Sequence, residues 1–98
     1  MARFDVYRLA DGAFVIDCQA DFLDEINTRF IAPLLPPGKA PPPNGHLNPG
    51  FEIEGEPLVM VTQFATAVRT TELRQRIASL DHEHLRITRA IDVLTGSA

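Results

Sequence analysis

The pattern of apolar and polar positions begins with alternation. From Arg3 to Ala10, Phe4 and Val6 fall on one side and Asp5 and Tyr7 on the other. Residues 13 to 18 repeat the pattern, with Phe14, Ile16 and Cys18 on one face. Asp11-Gly12 lies between them. An Asp-Gly step between two alternating runs predicts a β-hairpin, with both turn residues at positive φ. Further on, Phe30-Ile31-Ala32 reads as strand, and Pro33 marks an edge or a limit to pairing. Residues 21 to 25 fit a turn of helix or a loop. Phe22 and Leu23 are adjacent apolar residues flanked by Asp21, Asp24 and Glu25, so at least one is expected to be partly exposed.

Proline punctuates the middle of the chain. Seven of the eight prolines, at 33, 36, 37, 41, 42, 43 and 49, define a long exposed loop over 33–50. Proline lacks a ladder donor, and the interspersed glycines loosen the segment further. Pro33 to Pro36 also matches PxxP, a weak peptide-ligand signal. Phe51 to Glu54, Gly55, and Leu58 to Phe64 predict a second hairpin, with Pro57 at a strand start. Residues 65 to 73 add a possible strand, and 74 to 80 read equally as short helix or turn.

The period changes at the end. Ile87, Ala90, Ile91 and Leu94 recur at helical spacing, which predicts a helix over 81–95. Asp81 is its expected N-cap, Leu80 and Leu85 its hydrophobic staple, and Gly96 its stop. Strands followed by one helix, without βαβ alternation, predict an α+β fold: a strongly bent antiparallel sheet or partly open SH3-like barrel with a C-terminal α-helix. The length of 98 residues suits a single domain over 1–98.

Composition narrows the function classes. The net charge of −4 argues against direct nucleic-acid binding unless the arginines cluster. The charged N-terminus is unlike a signal peptide, and the absence of a long apolar run predicts no membrane span, so a cytoplasmic protein is expected. Cys18, the single cysteine, reads as a small buried hydrophobe.

Candidate chemistry is sparse. His82 and His84 are two residues apart and diverge on a helix, whereas paired zinc histidines need a spacing of three or four, so no metal is expected. Glu52, Glu54 and Glu56 read as a solvated strand face. Arg69, Arg74, Arg76, Arg86 and Arg89 read as solvated side chains, with Glu83 and Arg86 an i,i+3 pair. No catalytic constellation or cofactor motif is found, which favours a protein that works by binding.

Four segments together resemble the CcdB family of toxin–antitoxin toxins. They are Phe4 to Tyr7; Ile16 to Asp24 with Arg29 to Leu34; Leu47 to Thr62; and Ser79 to Leu94. The resemblance implies a homodimer that binds the A subunit of DNA gyrase and poisons this type II topoisomerase. It also implies a cognate CcdA-like antitoxin. The implied gyrase-facing residues are Phe22, Leu23, Asp92, Thr95, Gly96, Ser97 and Ala98. Well-studied members end in a Phe-Trp pair where this chain has Thr95-Gly96. Buried aromatic anchors are each worth on the order of 2 kcal/mol or more in an interface. Two alternatives stay open: a binding protein of this fold without gyrase poisoning, and a MazF-like endoribonuclease.

Overall fold

The structure, a computed structural model, describes residues 2–97. Seven strands are joined in one curled antiparallel sheet that forms a half-barrel: β1 (Asp5–Arg8), β2 (Phe14–Asp17), β3 (Thr28–Leu35), β4 (Gly50–Ile53), β5 (Glu56–Met60), β6 (Thr66–Arg69) and β7 (Gln75–Ser79). One helix, α1 (His84–Thr95), follows. The order is β4-β5-β3-β2-β1-β7, with β6 also paired to β3. This bears out the α+β expectation.

The first hairpin forms in the expected place, with Val6 opposite Ile16. Its turn differs from the expected type. Only Gly12 is left-handed, at φ +88. Asp11 instead accepts the Ala13 N–H on its carboxylate at 2.9 Å. Leu9 N–H closes the wider loop onto Ala13 O. The second hairpin has the turn with two left-handed residues, Glu54 (φ 52) and Gly55 (φ 79).

Alternation gives the β1–β2–β3 layer two buried faces. Phe4, Val6, Ile16, Cys18, Ala32 and Leu34 join the main cluster with Leu58, Met60, Leu80 and Ile87. Tyr7, Val15 and Ile31 pack on the opposite face with Leu73. Cys18 is buried in the main cluster, as expected, and burial pushes its thiol up to about 12.

Pro33 sits inside β3 and not at an edge of the sheet. It marks a change of partner: Thr28 to Ile31 pair with β6, and Leu34 to Leu35 pair with β5. Its missing N–H falls at that break, while its carbonyl still accepts Val61 N–H at 2.9 Å. Residues 33–35 are therefore strand, which shortens the predicted 33–50 loop to 36–49 and removes the PxxP segment as a free ligand. The loop's distal end is pinned. Asn48, 8% exposed, donates to Met60 O at 3.1 Å and to Gln63 Oε1 at 2.8 Å.

Residues 75–79, ambiguous in sequence, form β7 on the outer side of β1, with a register shift between Val6 and Tyr7. The start of the last helix also differs. Asp81–Glu83 is a 3-10 turn, and the α-helix begins at His84. Asp81 makes no side-chain cap, and Leu85 is 74% exposed, so no staple forms with buried Leu80. The tighter three-residue turn changes the helical phase and turns Leu85 away from the core. Gly96 does stop α1, at φ 76, and Ser97 N–H returns to Asp92 O at 2.8 Å.

Two outcomes test this packing. The Cys18 thiol, neutral well above physiological pH, should resist alkylation in the native protein and react fully after denaturation; fast native labelling would contradict its burial. Asn48→Ala should cost about 1–3 kcal/mol in urea unfolding, because Met60 O and Gln63 lose a buried donor.

Candidate functional site

The site is built at the end of the second buried face. Strand alternation places Asp17 on the side of Val15 and Arg29 on the side of Ile31. Both polar side chains are therefore carried inward, to 0% and 1% exposure. Arg29 Nε meets Asp17 Oδ2 at 2.8 Å. The same guanidinium reaches Asp24 Oδ1 at 3.2 Å and Gln19 O at 3.3 Å. One planar cation thus binds the β2 end, the segment after it and the following loop, using the donor fork that distinguishes arginine.

Burial pushes the Asp17 carboxyl up from its ordinary value. Hydrogen bonds from Arg29 and from Gln19 N–H, at 3.0 Å, act in the opposite direction.

Gln19 closes the base of the loop. Its carboxamide nitrogen donates to Leu23 O at 3.2 Å and Thr28 O at 3.0 Å, and its oxygen accepts Phe30 N–H at 2.9 Å. Asp21 adds a tether from a different part of the chain by accepting Arg3 N–H at 2.8 Å. Arg3 is brought there by the turn at Phe4, a buried residue with φ 72. Such a backbone is uncommon without glycine. It is held here by Phe4 N–H to Asp17 O at 2.6 Å and Leu80 N–H to Phe4 O at 2.9 Å.

The clamped segment carries a 3-10 turn, Asp21–Leu23, that buries none of its own side chains. Phe22 is 85% exposed and Leu23 37%. The expectation of exposure here holds for both residues. Sequence reasoning missed the support beneath them. The signal was available: Asp17 continues the parity of Val15 and Tyr7, so a polar residue at an inward position called for a buried partner.

The remaining site residues lie at the end of α1. Asp92 is half-buried, and its carbonyl accepts the helix-ending N–H groups. Thr95 Oγ1 donates to Ile91 O at 3.0 Å and lies 3.2 Å from Ser97 Oγ. Thr95, Gly96 and Ser97 are exposed, and Ala98 lies outside the described residues. Among the described residues, no hydrogen bond or ion pair joins this helix end to the 21–24 turn.

Of the other candidate groups, Arg69 lies beside this loop, opposite Thr28 in the β3–β6 ladder. His84 Nδ1 lies 2.9 Å from Asp81 O, and its ring stacks near Phe4. Arg76 pairs with Asp5 and Arg86 with Glu83, the i,i+3 pair expected from sequence. Glu54 is not merely solvated, since it pairs with Arg8 at 3.0 Å and ties the two hairpins together.

The Arg29 network has a measurable energetic signature. Arg29→Met should destabilise the chain by about 3–5 kcal/mol in urea unfolding, since Asp17 would be left buried and unpaired. Replacing both partners, Asp17→Leu with Arg29→Met, should recover much of that loss while amides 20–27 exchange faster than in the wild type. Unchanged exchange in the double variant would show that the network does not order the loop.

No curated protein matches the chain at a significant level. The family model described as CcdB protein matches residues 3–96. That match spans both hairpins, the clamped 21–24 turn and α1, so the chain belongs to the CcdB family.

Proposed function

We propose that this protein is a CcdB-like toxin of a type II toxin–antitoxin system that binds the A subunit of DNA gyrase and inhibits the topoisomerase. Family membership supports the toxin role. The observation that carries the target-binding reading is Phe22, a large apolar side chain 85% exposed on a loop that buried groups hold in shape. Ordering the loop before binding reduces the entropy lost on association. In this reading Phe22 and Leu23 contact gyrase together with Asp92, Thr95, Gly96, Ser97 and Ala98.

The protein acts by binding and not by catalysis, as a homodimer in the cytoplasm, where a cognate CcdA-like antitoxin neutralises it. The dimer provides two copies of the loop and of the helix end. An endoribonuclease is disfavoured, because Arg76 and Arg86 are occupied by carboxylates and the net charge is negative.

The helix end favours a second reading, in which the fold binds a partner without poisoning gyrase. Beyond Leu94 the described side chains are small or polar, and Thr95 Oγ1 is committed to Ile91 O. Such a tail lacks the large apolar area typical of an interface anchor.

A cleavage assay with purified protein, homologous gyrase, supercoiled plasmid and ATP separates the two. Poisoning predicts accumulation of linear DNA. Phe22→Ala should abolish most of that product, at least a tenfold loss, with an unchanged melting temperature. Gyrase binding without linear DNA at micromolar protein would select the second reading.

A further inference from the structure

Beyond the residues already assigned, the same loop exposes Ile26. It is 44% exposed and belongs to neither apolar cluster of the fold. Its backbone is nevertheless ordered: Ile26 N–H donates to Leu23 O at 3.3 Å, the carbonyl that also accepts Gln19 Nε2. Single exposed apolar residues are ordinary on protein surfaces. Phe22, Leu23 and Ile26 differ in lying together on one short, clamped segment.

Within the segment itself the charged groups have one sign, and the nearest cations flank it: Arg3, whose N–H meets Asp21, and Arg69, opposite Thr28. Residues 21–26 include Asp21, Asp24 and Glu25 and no basic side chain. Asp17 already faces Arg29 in the interior, so that cation is shared and, at 1% exposure, adds no positive charge to the surface. Asp24 keeps a side chain 59% exposed despite its contact with Arg29. Glu25 is exposed and makes no ion pair among the described residues.

We propose that Ile26 is a third contact residue of this loop, and that the loop fits an apolar cleft on the partner protein bordered by arginine or lysine side chains. The apolar tip supplies buried area, and the acidic border supplies steering and register. The proposal rests on the reading of this loop as the gyrase-facing surface. It gives the loop a larger share of the contact than the last residues of the chain: Val93 and Leu94 are exposed at the helix end, but the described side chains beyond Leu94 add little apolar area.

The test is binding of the full chain and its variants to the purified A subunit of gyrase, by surface plasmon resonance at two salt concentrations. Ile26→Ala should weaken binding about tenfold, mainly through faster dissociation, with wild-type melting temperature and dimer affinity. Glu25→Lys should slow association and flatten its salt dependence. If Phe22→Ala loses binding while both of these variants bind as wild type, the gyrase reading stands and this proposal is overturned. If the wild-type chain does not bind gyrase, the gyrase reading fails and the proposal falls with it. Loss of dimer affinity in Ile26→Ala would place Ile26 in self-association and also overturn it.

Discussion

The buried contact between Arg29 and Asp17 is the constraint on which the rest of the site depends. A charged pair at about 1% exposure is costly to desolvate, and its mutual attraction offsets that cost only with good geometry. The chain meets this condition by using the whole guanidinium. Arg29 has three partners, Asp17, Asp24 and Gln19 O, drawn from the β2 end and the loop that follows. An apolar pair of similar volume would fill the space but could not hold Asp24. Contacts to Asp24 and to Gln19 O are what the polar network adds over such an apolar pair.

The network can exist because β1, β2 and β3 are buried on both faces. The main cluster covers one side with help from α1, and the 66–73 segment covers the other through Val68 and Leu73. β3 is the strand that makes this possible. It pairs with β2 along one edge and divides its other edge between β6 and β5. Pro33 stands at that division, where an absent donor does least harm to the ladder. A proline that reads as an edge signal in a linear pattern thus marks a change of partner in the folded sheet.

Much of this was legible in the residues. Period-two alternation located both early hairpins, and period 3.6 located the face Ile87-Ala90-Ile91-Leu94, of which Ile87 and Ala90 are fully buried while Leu94, in the last turn, is exposed. Exposure of at least one of Phe22 and Leu23 followed from their acidic flanks, and both are exposed. Legibility ended where a local signal had two outcomes of similar energy. Residues 75–79 have little intrinsic preference, and pairing with β1 decided them as strand. Asp81 and Leu85 fitted cap and staple positions, but the contact of Leu80 with Phe4 O fixed the chain's entry and left room for a 3-10 turn.

The α+β class, the strand-then-helix order and most of the core positions follow from the residues in order, because these depend on side-chain periodicity along the chain. That Asp17, Gln19, Asp24 and Arg29 form one clamp emerges only from packing. The same holds for Arg3 N–H reaching Asp21 and for Ile26 staying outside the core. The reason is physical. Periodicity tells which side of a strand a residue takes, but hydrogen-bond partners from separate segments are chosen by sheet register and strand curvature, which arise when the segments pack together.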